Sequence, residues 1–178
     1  MADQASDVVQ WWRKAEAHWF SHDADFDRRF TERFLPLHEA AARGDLADWA
    51  ATPEGALALL ILLDQFPRNA FRGSARMYAT DPQAREIARQ AQAAGHPARV
   101  EAGLRLFFGL PFTHSEDLAD QDLAVCLQTP AGGDALRFAK GHRDIVRRFG
   151  RFPHRNALLG RATTPEEQAF LDGGGFSG

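Results

Sequence analysis

The amino-acid sequence predicts an all-α fold of about eight helices, arranged as antiparallel pairs that stack in chain order. Apolar residues recur at helical spacing, helix-start signals recur along the chain, and strand-like alternation is nearly absent. The connections are mostly short, which favours antiparallel neighbours. A chain of 178 residues, 44% of them hydrophobic, can form one domain with an ample core. Residues 1–178 are therefore predicted to form a single domain, with a flexible Gly-rich tail from about residue 173.

The first two helices are predicted from apolar residues that should face the core. These residues are Val8, Trp12, Ala15 and Trp19 in the first helix, and Phe26, Phe30, Phe34, Leu37 and Ala41 in the second. Gly44 follows the second pattern and should end that helix. Farther along, the run from Ala56 to Leu63 is apolar on every side, so its helix should be central.

Three later helix starts share one chemistry, a capping oxygen followed by a proline. They are Thr52-Pro53, Asp81-Pro82 and Thr164-Pro165. Glu167 stands three residues after Thr164 and completes a predicted capping box. The predicted helices lie near residues 5–20, 24–43, 53–65, 82–94, 98–109, 115–128, 134–149 and 164–171.

Composition excludes several classes of protein. The single cysteine, Cys126, rules out an internal disulfide framework. The N-terminus is acidic where a secretory signal would be basic, and the longest apolar run is far too short to span a bilayer. These features predict a cytoplasmic protein that does not associate with membranes. The net charge of −3 and the lack of a nucleic-acid-binding motif argue against nucleic acid as a partner.

Two similar segments follow helices and end in glycine. The first corner, Gln65–Gly73, reads QFPRNAFRG, and the second corner, Arg151–Gly160, reads RFPHRNALLG with His154 inserted. Both are predicted to be helix exits. Because the residue before a proline disfavours the helical region, Phe66 and Phe152 should be extended, and both should point into the core.

Polar residues of the first corner adjoin the most apolar helix of the chain. In one interpretation, Asp64 and Arg68 form a local ion pair while Asn69 caps the next turn. In the other, Arg68 and Asn69 bind an anion, and Asp64 fixes Arg68 as part of a catalytic set.

The second corner is strongly basic. Residues 137–161 carry eight basic side chains and one acid, a formal charge of +7. Within the corner, Arg151, His154, Arg155 and Asn156 are candidate ligand-binding residues, because guanidinium groups suit a carboxylate or a phosphate. Structural pairing with Asp64, Glu116 or Asp117 is the alternative.

A third polar segment runs from Thr113 to Gln121. A capping box formed by Thr113 and Glu116 accounts for part of it without any function. The functional interpretation makes His114 and Glu116 an acid–base pair and has Gln121 orient the ligand from the same helical face. No nucleotide-binding, hydrolase or metalloprotease motif occurs, so no cofactor and no metal are expected.

Three motifs carry a resemblance to a known family. They are Leu62–Asn69, Leu110–Phe112 with His114–Asp117, and Phe149–Asn156 with Leu159–Arg161. Together they resemble a largely bacterial family of domains of unknown function, number nine-two-four, over nearly the whole chain. The resemblance implies a TPR-like helical superhelix and no established activity.

Two functions are compatible with these patterns. In the first, a polar site between helices binds a small anionic molecule, with His/Glu acid–base chemistry as an extension. In the second, a TPR-like interaction module holds a peptide by its carboxylate. An enclosed cavity would favour the first and an open groove the second.

Overall fold

The computed structural model describes residues 2–130 and 132–176. In these residues the protein is all-helical, without a β-strand, as predicted. The described part of the chain has nine α-helices: α1 (Ala2–Lys14), α2 (Ala24–Arg43), α3 (Pro53–Leu60), α4 (Phe66–Ala70), α5 (Asp81–Ala93), α6 (Leu110–Thr113), α7 (Leu118–Gln128), α8 (Gly133–Phe149) and α9 (Pro165–Asp172). A π-helical turn, Ile61–Gln65, joins α3 to α4. Short 3-10 turns connect most of the others.

The chain divides into two compact units. Unit 1 comprises the described residues of Met1–Arg72 and Arg76–Pro111, and unit 2 comprises those of Gly73–Ala75 and Phe112–Gly178. The first corner lies in unit 1 except for its final Gly73, and the second corner lies in unit 2.

In unit 1 the core surrounds α3, against which α1 and α5 pack. Every residue from Ala56 to Leu63 is at most 1% exposed, so the prediction of a central apolar helix is confirmed. Aromatic rings from α1 and α2 extend this core: Trp12 lies 5.3 Å from Phe30 between ring centroids, and Phe30 lies 5.2 Å from Phe66. Helix α2 has the predicted bounds and ends at Gly44, whose φ of 84° is left-handed.

The helix at the first corner continues where an exit was predicted. Phe66 has φ −53° and ψ −49°, so the prediction of an extended Phe66 is wrong, although its burial in the core is confirmed. The chain passes through Pro67 because the preceding turn is π-helical: Phe66 N–H donates to Ile61 O, five residues back. Widened turns of this kind accommodate a proline that an α-helix would not.

Side chains donate hydrogen bonds to the carbonyl groups that lack a helical partner in this widened turn. Pro67 has no N–H, so the carbonyls of Leu62 and Leu63 lack the helical donor it would have supplied. Four successive carbonyls, residues 62–65, accept hydrogen bonds from His38 Nδ1 (2.8 Å), Thr80 Oγ1 (2.6 Å), Arg68 Nη1 (2.7 Å) and Asn69 Nδ2 (2.9 Å), in that order. The polar residues around the first corner therefore stabilise an irregular helix.

In unit 2, α7 packs against α8. Helix α8 ends at Gly150, whose φ is 70°. Phe152 then has φ −92° and ψ 108° and is fully buried, so both predictions for this residue are confirmed. The second corner is thus a helix exit, whereas the first is a continuation.

The predicted helix starts have mixed outcomes. Thr52 accepts from Gly55 N–H, and Thr164 and Glu167 form the predicted capping box. Asp81 does not cap: α5 begins at Asp81 itself, whose carboxylate binds Arg68. The segment near 98–109 was predicted as one helix, but it forms two 3-10 turns, His96–Arg99 and Ala102–Phe108.

Candidate functional site

Two buried carboxylates surround Arg68 at the first corner. Its Nη1 and Nη2 donate to the two Asp81 oxygens at 2.9 and 3.1 Å, and Nη1 lies 3.1 Å from Asp64 Oδ1. The side chains of Asp64 and Asp81 are only 2% and 6% exposed. Burial acts to lower the pKa of Arg68, but the charges of Asp64 and Asp81 outweigh it and raise that pKa. Arg68 is therefore permanently charged, and its charge is balanced by two buried carboxylates of the protein.

Asn69 also has partners within unit 1. Its Nδ2 donates to Gln65 O, and its Oδ1 accepts from Arg72 Nη2 at 2.9 Å. Arg72 in turn lies 2.6 Å from Asp27 on α2. Gln65 Nε2 donates to Asp64 Oδ2 at 2.6 Å, which fixes the remaining carboxylate oxygen. Both ends of the Asn69 amide are thus engaged by the protein.

Gln121 holds the turn that precedes α7. Its Nε2 donates to Thr113 O at 2.7 Å and Ser115 O at 2.6 Å. The side chain is fully buried, and its Oε1 has no hydrogen-bond partner in the described part of the chain. The donor end of this amide is used internally, so only the acceptor end is left for a ligand. The neighbouring His114 is half-buried, and its carbonyl accepts from Arg155 Nη2 at 2.9 Å.

Glu116 anchors the second corner and does not form the predicted capping box. Arg161 donates to both Glu116 oxygens, at 2.7 and 2.9 Å, and Phe152 N–H donates to Oε1 at 2.7 Å. Helix α7 is capped instead by Asp117, which accepts from two backbone N–H groups. Burial acts to raise the pKa of Glu116, but the hydrogen bonds from Arg161 and Phe152 prevail and lower it. Glu116 is therefore ionised and held in place.

Arg151 and Asn156 converge on Glu167 at the start of α9. Arg151 forms two bonds with this carboxylate, at 2.6 and 2.8 Å, and Asn156 Nδ2 donates to it at 3.1 Å. The Arg151 hydrogen bond is the largest cause of a Glu167 pKa lowered to about 2. Asn156 Oδ1 also accepts from Arg161 Nε at 3.0 Å. The predicted ligand residues Arg151 and Asn156 thus belong to one internal network.

The imidazole ring of His154 has an unsatisfied nitrogen. Its Nδ1 is buried and has no hydrogen-bond partner among the residues that the structure describes. The ring packs beside Phe152 and Phe176, with centroid separations of 5.6 and 5.1 Å. Burial, followed by the charges of Arg155 and His142, lowers the pKa of His154 to about 4, with Arg161 contributing and Glu116 opposing. His154 is therefore a neutral imidazole in a positive environment.

Arg155 lies beside the same aromatic ring. It is 7% exposed, and its Cζ stands 4.6 Å from the centroid of Phe152. The structure thus brings His154, Arg155 and Glu116 together in unit 2, while Asp64, Arg68 and Asn69 belong to unit 1. Arg161 was not among the predicted site residues, although it lies in both the basic segment and the third family motif.

The described residues contain no group of three or more His, Cys, Asp or Glu side chains arranged to hold a metal ion. Over the same part of the chain, none of the helices combines the length and apolarity that crossing a membrane requires.

Comparisons with known proteins place the chain in a family. Residues 8–175 match the profile of a family described as bacterial protein of unknown function (DUF924). A solved structure, that of the protein of unknown function ATU0120 from Agrobacterium tumefaciens, is 54% identical and superposes with a TM-score of 0.95. The alignment covers 97% of this chain and 98% of that one. No curated protein matches the sequence. The chain belongs to the DUF924 family of bacterial proteins.

Proposed function

We propose that the protein binds a small anion, a carboxylate or a phosphate, at the second corner of unit 2, where the neutral imidazole of His154 donates a hydrogen bond to the ligand through Nδ1–H. The observation that carries the proposal is the buried, unpartnered Nδ1 of His154 beside Arg155. A buried polar atom without a partner costs free energy, and a ligand that supplies the partner recovers it.

The charges around His154 favour an anionic ligand. Arg155, His142 and Arg161 each lower its pKa, while the charge of Glu116 raises it. A bound anion would offset this positive field. The oxygens of a carboxylate or a phosphate could meet the guanidinium groups and accept from His154 Nδ1–H at once.

The remaining network supports a positioning role for its members. Glu116 is ionised and bound by Arg161, so it orients the corner more readily than it donates a proton. The Arg151–Glu167 pair fixes the corner to α9. We assign Asp64, Arg68 and Asn69 to the stability of unit 1, because Arg68 is matched there by two carboxylates.

Thermal denaturation with inorganic phosphate or succinate tests the proposal, with chloride at equal ionic strength as the reference. A ligand at 100 times its Kd stabilises the native state by about 2.7 kcal/mol. For a chain of this size that corresponds to a Tm increase of about 5–10 °C. The wild type should show the increase with an anion.

Two variants make the test specific. His154→Gln and Arg155→Gln should reduce the anion-induced increase, whereas Arg147→Gln, which changes an exposed arginine of α8, should keep it. Equal melting temperatures of the wild type in phosphate, succinate and chloride would overturn the proposal. So would an increase of the same size in all three variants, because the anion would then bind elsewhere.

A further inference from the structure

Unit 1 contains an open groove of about 640 Å³, whose lining includes none of the candidate site residues. Its walls come from α1, the 3-10 turn Ala47–Ala51, the first turn of α3 and residues 99–104. The apolar part of the lining includes Val9, Leu57 and Leu104, all nearly fully buried. A volume of this size lies within the range of pockets that hold small organic ligands.

One residue that lines this groove carries an unsatisfied donor. Trp49 lines it and is only 7% exposed. Its Nε1 is buried and has no hydrogen-bond partner among the residues that the structure describes. Because indole N–H is a donor only, the group that would satisfy it is an acceptor, such as a carbonyl or carboxylate oxygen.

The rim of the groove carries charges of both signs. Arg99 is exposed, and no hydrogen bond or ion pair engages its guanidinium within residues 2–130 and 132–176. Asp48 and Glu54 are likewise exposed acids of the lining without an ion pair in the described part of the chain. Arg13 and Glu101, by contrast, neutralise each other at 2.8 Å. The groove therefore offers one available cation, two available anions and an apolar floor.

We propose that this groove binds a short apolar peptide with free termini. Arg99 would bind the terminal carboxylate, Asp48 or Glu54 the terminal ammonium, and Trp49 Nε1–H would donate to a peptide or terminal oxygen. The apolar side chains would lie on Pro53 and Val100, which line the groove and are partly exposed. A purely anionic ligand would meet repulsion from the two acids, and an uncharged one would leave all the rim charges unused.

A close backbone contact shapes this wall. A Cβ on Gly55 would stand 2.2 Å from Trp49 O and 2.8 Å from Thr52 Oγ1. Position 55 must therefore be glycine for the Ala47–Ala51 turn to come this close to the start of α3. Thr52 Oγ1 accepts from Gly55 N–H at 3.1 Å and fixes the approach. The backbone of Trp49 is thereby held in place, while its indole N–H forms no hydrogen bond with the residues that the structure describes.

Isothermal titration calorimetry with three related probes tests the proposal on the full chain. Leucyl-leucine has both charges, leucyl-leucinamide lacks the carboxylate, and N-acetyl-leucyl-leucine lacks the ammonium group. Leucyl-leucine should bind best, and removal of either charge should weaken binding about tenfold, the size of one charge-assisted bond. Equal affinities for the three probes, or no binding of leucyl-leucine, would overturn the proposal.

Arg99→Gln assigns the carboxylate contact, and because Arg99 is exposed the substitution should leave the fold intact. It should weaken leucyl-leucine about tenfold and leave leucyl-leucinamide unchanged, because the amide has no charge for Arg99 to bind. Trp49→Phe should weaken all three probes, and Arg147→Gln should weaken none. An equal loss for all probes in Arg99→Gln would refute the assigned orientation.

Discussion

Acidification should destabilise the protein partly through His154, and this contribution should be lost when that residue is replaced. The pKa of His154 is about 4 in the folded protein, against 6.5 for an unperturbed imidazole. Between these values the unfolded chain binds a proton that the folded protein does not, so stability falls as the pH is lowered. From pH 7.5 to pH 5 the two pKa values give a loss of about 2 kcal/mol.

The assay is urea denaturation at pH 7.5 and pH 5, applied to the wild type and to His154→Gln. Most carboxylates stay ionised at both pH values. His38, whose pKa is also lowered by burial, contributes equally to both proteins. The pH-dependent loss should therefore be about 2 kcal/mol smaller in the variant. Identical losses in the two proteins would refute the assignment of His154 as a buried, neutral imidazole.

Two further predictions concern the packing and charge balance of the fold. Asp81→Asn should destabilise unit 1 by about 3 kcal/mol in urea denaturation, because Arg68 loses a buried partner. The control Asp7→Asn breaks a half-exposed pair with Arg33 and should cost at most about 1 kcal/mol. Equal losses of stability in the two variants would contradict the burial argument. Phe152→Ala should cost about 3–5 kcal/mol by the same measurement, since the ring is fully buried, and an unchanged midpoint would show that the second corner does not depend on this ring.

Regular helices were predictable from the sequence because their signals are local. Helix α2 has the predicted bounds, since its buried phenylalanines and Gly44 define both face and end. The capping box at Thr164 was predictable for the same reason. The two corners look alike in sequence but differ in structure, because His38 and Thr80 satisfy carbonyls at only one of them. These donors are distant in sequence, so no local pattern reveals them.

The candidate site was only partly predictable because pairing is decided by tertiary contacts. Asp81 was predicted as a cap, yet the buried charge of Arg68 competes for its carboxylate and prevails. Glu116 was predicted to cap a helix, but Arg161, 45 residues away, binds it with two hydrogen bonds. The basic composition of residues 137–161 indicated where the second corner lies. It did not show which of its cations form ion pairs with acids of the protein.

The titration of His154 in the presence and absence of an anion tests the central claim most directly. NMR chemical shifts of the imidazole ring, assigned by comparison with His154→Gln, give its pKa in low-salt buffer and in saturating phosphate. In the free protein the pKa should be near 4. A bound anion offsets the charges of Arg155 and Arg161, so in phosphate the pKa should rise by about one unit or more. An unchanged pKa in phosphate would contradict an anion site at the second corner.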